Sequence, residues 1–130
     1  MPQVKGGFEV KRSVLPGCDM GDGVEAGHMR FDKQFSGELS ATSVVHMLAV
    51  ATGVAGSAGY VAVERVSGSL QGRAGTFFMQ HNVTMTRGAP SLALSVVPDS
   101  GTGELAALAG SMAIDIFDGQ HSYTLDYTLE

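Results

Sequence analysis

The stretch that decides the fold is "GSMAIDIFDGQHSYTLDYTL", residues 110–129. Its Asp-Gly pair at 118–119 is a strong signal for the two-residue turn of a β-hairpin. After the turn, apolar and polar residues alternate, which is typical of a strand with one face in a core. The apolar face of that strand carries Tyr123, Leu125, Tyr127 and Leu129. The stretch therefore predicts a hairpin of two strands, 110–117 and 121–129.

Strand-like patterns recur upstream of this hairpin, either as period-two alternation or as valine-rich runs. They cover residues 8–11, 28–39, 60–70, 75–85 and 92–97. Three other segments are less regular. Residues 43–52 fit a helix or a strand, residues 13–27 predict an irregular loop, and residues 103–109 predict a turn of helix or a wide loop. The 18 glycines suit the tight turns of a chain built from strands.

Counting residues 43–52 as a strand gives eight consecutive strands with short connections. This arrangement predicts an all-β fold: a single eight-stranded, mostly antiparallel up-and-down β-barrel over residues 1–130. Closure into a barrel also removes exposed sheet edges. A barrel of eight strands is either filled by side chains or holds one small ligand.

Composition excludes several classes of function. Eight Lys and Arg against thirteen Asp and Glu give a net charge of -5, without the basic footprint that nucleic acids require. The single cysteine excludes an internal disulfide framework. No pair of histidines has metal-ligand spacing, so we expect neither a metal nor a cofactor. With no leader and no apolar run of about 20 residues, we expect a cytoplasmic protein that does not bind membranes.

The run "GTFFMQHNVTM", residues 75–85, raises the question of which polar side chains face the barrel interior. His81 shares its face with Phe77 and Met79, so His81 should point inwards and Gln80 outwards. By the same alternation Lys33 shares a face with Phe31, and Glu64 shares one with Tyr60. The phenols of Tyr123 and Tyr127 are expected to join them. Buried charges need partners, so these groups form either an acid-base site or a structural ion pair.

Four segments of the chain resemble an uncharacterised bacterial family of small proteins with an allene-oxide-cyclase-like barrel. They are "KQFSGEL" at 33–39, "ERVSGSLQGRAGTFFMQH" at 64–81, "VVPDSGTGELAALAG" at 96–110 and "SYTLDYTLE" at 122–130. The chain departs from the family pattern at Leu94, where a tryptophan is usual. The resemblance implies a calycin-like barrel that often assembles into oligomers. It implies no activity, because fold-level analogy does not transfer a reaction.

Three hypotheses of function follow, and the sequence leaves all of them open. The first is a barrel that binds a small, largely apolar molecule. The second is an isomerase or cyclase without cofactor, with Glu64, His81 and Lys33 as candidate catalytic residues. The third is a filled barrel that acts as a homo-oligomer through Val61, Val63 and Phe78 on its outer face. The candidate ligand-binding residues are Phe31, Lys33, Tyr60, Glu64, Phe77, Met79, His81, Leu94, Tyr123 and Tyr127.

Overall fold

The computed structural model describes residues 2–129 as one closed barrel of eight strands. Each strand pairs antiparallel with its neighbour in the chain, and the last pairs with the first. The strands are β1 (Gln3–Asp19), β2 (Glu25–Phe35), β3 (Leu39–Ala51), β4 (Ala58–Leu70), β5 (Arg73–Thr86), β6 (Ala89–Val96), β7 (Leu108–Phe117) and β8 (Gln120–Leu129). The predicted up-and-down barrel is confirmed, and it fits the allene-oxide-cyclase-like type.

The predicted loop over residues 13–27 is wrong. β1 continues to Asp19 and β2 begins at Glu25, so only residues 20–24 connect them. A register shift between Leu15 and Cys18 takes Pro16 and Gly17 out of the regular ladder. A bulge of this kind absorbs residues that a strand would otherwise exclude, and pairing resumes beyond it.

The predicted strand over residues 28–39 is wrong at its end. β2 stops at Phe35 and Leu39 already belongs to β3, because Gly37 has a φ of 98° and reverses the chain. The segment 43–52, which fitted a helix or a strand, is a strand: β3 includes it up to Ala51. Within residues 103–109, the structure has a short 3-10 helix over Gly103–Leu105, which matches the first of the two alternatives.

The predicted turn at residues 118–119 is confirmed. Asp118 and Gly119 both have positive φ, at 53° and 77°, as a type I′ hairpin turn requires. Within residues 2–129, no helix is long and apolar enough to cross a membrane.

The two ends of the barrel differ in packing. The end that holds the β2–β3, β4–β5 and β6–β7 connections is filled by a core that includes Phe35, Leu39, Leu70 and Phe77. Leu105 of the 3-10 helix is also fully buried in that core. At the opposite end, inward-facing positions of β1 and β7 are exposed, as Val14 and Ile116 show. The barrel is therefore packed at one end and open at the other.

The seam between β6 and β7 is the least regular part of the barrel wall. Within residues 2–129, only Ser95 and Ser111 form a registered pair across it. The neighbouring β5–β6 ladder, by comparison, runs from Met79 with Val96 to Thr86 with Ala89. The wall is closed here by one bridge rather than by a continuous ladder.

The hydroxyl of Tyr123 secures the packed end. It donates a hydrogen bond to the Ser36 carbonyl at 2.8 Å and accepts one from the Leu39 backbone N–H at 3.1 Å. Tyr123→Phe removes both bonds and leaves a buried N–H without a partner. We expect this change to lower the free energy of unfolding by about 1–3 kcal/mol, measured from the urea midpoint at unchanged slope.

Tyr60→Phe is the matched control, because the Tyr60 hydroxyl bonds to no other group in the described part of the chain. It should change the stability by less than about 0.5 kcal/mol. Equal stabilities of the two variants would show that the Tyr123 hydroxyl does not secure this end.

Candidate functional site

Four consecutive strands each direct one polar side chain into the barrel. β2 contributes Lys33, β3 Ser43, β4 Glu64 and β5 His81, and all four are buried. Lys33 lies opposite Ser43, while Glu64 and His81 lie on neighbouring steps of the paired strands β4 and β5. The inward direction predicted for His81 is confirmed, and Gln80 is exposed on the outside.

The Glu64 carboxylate lies at the centre of this group and is fully inaccessible to solvent. Its Oε1 is 2.7 Å from His81 Nε2 and 3.3 Å from Lys33 Nζ. Its Oε2 accepts a hydrogen bond of 2.6 Å from Ser43 Oγ. Both carboxylate oxygens are therefore satisfied, as a buried charge requires. We call Lys33, Ser43, Glu64 and His81 the Glu64 cluster.

The environment keeps Glu64 ionised. Burial alone would raise its pKa, but the hydrogen bond from His81, the charge of Lys33 and the hydrogen bond from Ser43 together outweigh burial. The pKa of the Glu64 carboxyl is therefore lowered from its ordinary value of 4.5. An ionised carboxylate only accepts hydrogen bonds, so Nε2 of His81 must carry the hydrogen that lies between the two groups.

The second ring nitrogen of His81 is open to a cavity. Among residues 2–129 its Nδ1 has no hydrogen-bond partner, yet no fully buried polar side-chain atom there lacks one. Nδ1 must therefore reach free space, and His81 borders an inner cavity of about 270 Å³. With Nε2 protonated and held by Glu64, Nδ1 offers a lone pair to that cavity, or a second N–H if the ring is charged.

The cavity occupies the open half of the barrel, and the Glu64 cluster contributes to its wall. Four of the predicted ligand-binding residues line it: Phe31, Lys33, Tyr60 and His81. Five further lining residues were not among the candidates: Val10, Val45, Met47, Ala62 and Ile114. Alternation alone marks these as inward-facing, but it does not distinguish the open half of the barrel from the packed half.

The other six predicted ligand-binding residues do not line the cavity, and Glu64 among them is fully buried against Lys33 and His81. Phe77, Met79 and Leu94 belong to the packed core. The expectation that the two tyrosine phenols join the charged group is wrong, because they lie at the packed end. Tyr123 binds the β2–β3 turn and Tyr127 donates to the side chain of Gln71. Their inward direction was predictable, but their height along the barrel depends on strand stagger.

A pair of histidines lies on the outer face. His28 Nε2 and His46 Nδ1 are 2.9 Å apart, on the paired strands β2 and β3. Residues 18 positions apart in sequence meet here only because of the strand register, so spacing alone gave no signal. No cluster of three or more His, Cys, Asp or Glu side chains suited to a metal occurs within residues 2–129.

Comparison with known proteins assigns the chain to a family. The chain belongs to the DUF3224 family, described as proteins of unknown function, whose model matches residues 4–127. It is similar to the crystal structure of a DUF3224 protein of unknown function from Shewanella oneidensis MR-1. The two sequences are 48% identical over 100% of this chain and 98% of that one, with a TM-score of 0.93. No curated protein matches the chain.

The lowered pKa of Glu64 links the cluster to acid stability. Its folded pKa lies below its unfolded value, so the carboxylate stabilises the fold above pH 4.5, and this contribution is lost as the pH falls through the folded pKa. At pH 7 we expect Glu64→Gln to cost about 3–5 kcal/mol, as for a buried ion pair that loses one partner. Urea unfolding from pH 7 to pH 3 should show this difference shrinking.

Glu9→Gln provides the control, because Glu9 is an exposed carboxylate on β1. Its unfolding curve should follow that of the unmodified protein at every pH. A difference between Glu64→Gln and the unmodified protein that stays constant down to pH 3 would contradict a lowered pKa for Glu64.

Proposed function

We propose that this DUF3224 protein binds a small, largely apolar molecule in the open half of its barrel. The observation that carries the proposal is the cavity of about 270 Å³, whose largely apolar wall also contains the polar side chains of Lys33 and His81. Ligand sites have this make-up: apolar side chains supply most of the contact, and a few fixed polar groups orient the ligand. Since no curated relative supplies an activity, the proposal rests on this geometry.

The shape of the barrel supports access to the cavity. Its packed end is closed by the core around Leu39, Leu70 and Leu105. The open end carries apolar side chains that face inwards yet remain exposed, at 74% for Val14 and 62% for Ile116. A ligand that enters here would cover apolar surface at the rim, and burial of such surface favours binding by about 25 cal/mol for each Å².

The polar groups in the cavity wall are fixed in place. Lys33 is held by Glu64 and lies over the ring of Phe8, 4.8 Å from its centroid. His81 is oriented by its hydrogen bond to Glu64. Groups held in this way lose little freedom when a ligand binds, which raises affinity for a molecule with one matching polar end.

Native mass spectrometry of the purified protein tests binding directly. We expect a species heavier than the chain by one small molecule, released on denaturation and identified by its mass. Ala62→Leu places a larger side chain in the cavity wall and should abolish the adduct. Val63→Leu makes a comparable change on the outer face of the same strand and should retain it. A bare chain mass, or an adduct that survives Ala62→Leu, would count against a ligand in this cavity.

An enzymatic function is the second candidate, and the open Nδ1 of His81 favours it. We propose that this nitrogen would act as the general base, with Glu64 holding the ring in the required tautomer. Glu64 itself has no free oxygen for a substrate, because Lys33, Ser43 and His81 occupy both. An isomerisation needs only that a proton leaves one carbon and returns to another in the same molecule. Such a step requires no cofactor.

Hydrogen exchange on the bound molecule tests this candidate. The ligand released from the protein is incubated with fresh protein in D₂O and followed by NMR. We expect a carbon-bound hydrogen to be replaced by deuterium, and the exchange to slow by about 10²–10⁴-fold in His81→Gln, the usual contribution of a general base. Exchange at the same rate in both proteins, or in neither, would leave binding as the function without acid-base catalysis.

The outer face of the barrel supports a further proposal, a contact between copies of the chain. Val61, Val63 and Phe78 lie there and are 55%, 53% and 38% exposed. Apolar side chains grouped on a surface often mark an interaction site. The mass spectrum that detects a ligand also gives the number of chains in the particle. Homo-oligomerisation therefore remains a prediction alongside the proposed binding function.

A further inference from the structure

The charges beside the cavity do not balance. Lys33 and Glu64 oppose each other in the Glu64 cluster. Arg12 occupies a third inward-facing position, because it lies opposite Phe31, whose side chain lines the cavity. Beside the cavity, two cations and one carboxylate leave a local excess of one positive charge when the histidines are neutral. The next carboxylates in the inward register, Asp19 and Glu25, lie beyond the bulge near the tip of the β1–β2 hairpin. The chain as a whole has a net charge of -5, so this local excess is opposite in sign to the rest of the molecule.

Arg12 lies between the cavity and the open end of the barrel. Val10, two residues earlier on β1, lines the cavity, while Val14, two residues later, is largely exposed. Arg12 is itself exposed, and within residues 2–129 no carboxylate forms a salt bridge with it. Its guanidinium is free to pair with a group that enters through the mouth. Arginine suits this role because its planar fork matches a carboxylate.

Lys33 keeps hydrogen-bonding capacity beyond its bond to Glu64. Its Nζ is 3.3 Å from Glu64 Oε1, whereas the same oxygen receives the shorter bond from His81 at 2.7 Å. An ammonium group has three N–H donors, and the bond to Glu64 uses one. In an apolar interior, a cation with unused donors favours a second anionic partner.

We propose that the ligand is a small organic anion, with a carboxylate that pairs with Lys33 and Arg12 and a compact apolar body. This inference rests on the proposed binding function and specifies its ligand. The cavity of about 270 Å³ sets the size. It equals the volume of about nine liquid waters and falls just below the usual range for drug-sized ligands. A body of about ten non-hydrogen atoms fits this space, with its carboxylate among the cations.

Matched pairs of acids and amides test the charge of the ligand. The probes are phenylacetate with phenylacetamide, cyclohexanecarboxylate with its carboxamide, and hexanoate with hexanamide. The members of each pair share shape and size and differ in charge. Their dissociation constants are measured at pH 7 by ligand-observed NMR titration. In at least one pair, we expect the acid to bind ten times more tightly than the amide or better.

Substitutions of single cationic residues show which of them binds the carboxylate of the acid. Arg12→Gln should weaken binding of the preferred acid by about two- to fivefold, the range for an exposed ion pair, and leave its amide unchanged. Lys11→Gln is the matched control, because it removes the same charge from the adjacent position, which faces outwards opposite Asp32. Lys33→Met should weaken the acid by more than tenfold, as expected when a buried charge loses its partner. Arg12→Gln decides the test if Lys33→Met does not fold.

The outcomes distinguish failure of the anionic ligand from failure of the proposed ligand-binding function. Amides that bind as tightly as their acids would overturn the anionic ligand and leave a binding barrel for neutral molecules. Equal effects of Arg12→Gln and Lys11→Gln would also overturn it, since the overall charge and not the mouth would then be responsible. No binding by any probe, together with a bare chain in native mass spectrometry, would overturn the binding function itself.

Discussion

The buried carboxylate of Glu64 is the constraint on which the rest of the barrel depends. A charge that is removed from water must receive hydrogen bonds and opposite charge within the protein, or the fold does not tolerate it. Here the partners come from three neighbouring strands, as Lys33, Ser43 and His81. A shift of one residue in any of these ladders would turn a partner to the outer face. The cluster thus fixes the register of β2 to β5 as well as their order.

Sequence patterning predicted the direction of side chains better than their position along the barrel. The alternation around residues 75–85 placed His81 inside, and the Asp-Gly pair located the final hairpin; both follow from local geometry. Tyr123 and Tyr127 also point inwards, yet they lie at the packed end. Height along a barrel depends on strand tilt and stagger, which no single strand encodes.

Predictions from local sequence patterns failed where pairing between strands determined the structure. Pro16 and Gly17 would normally end a strand, but a bulge removes them from the ladder and β1 continues. Ser43 was not predicted as a site residue, because one serine in a segment that fits a helix or a strand has no distinctive pattern. Its importance appears only when the register of β3 with β2 and β4 brings it to Glu64. The membership of a polar cluster is a property of the pairing and not of any one segment.

Within residues 2–129, one bridge, between Ser95 and Ser111, joins β6 to β7. The barrel wall is therefore held by fewer backbone hydrogen bonds at this seam than along its other strand pairs. On one side, β2 to β5 are joined by long ladders and by the Glu64 cluster. At the β6–β7 seam, few backbone bonds must break before the strands separate. Regions with few such bonds undergo local opening at a lower free energy than the whole fold. Amide hydrogen exchange should therefore begin at the β6–β7 seam. The two strands would separate there while the Glu64 cluster stays intact.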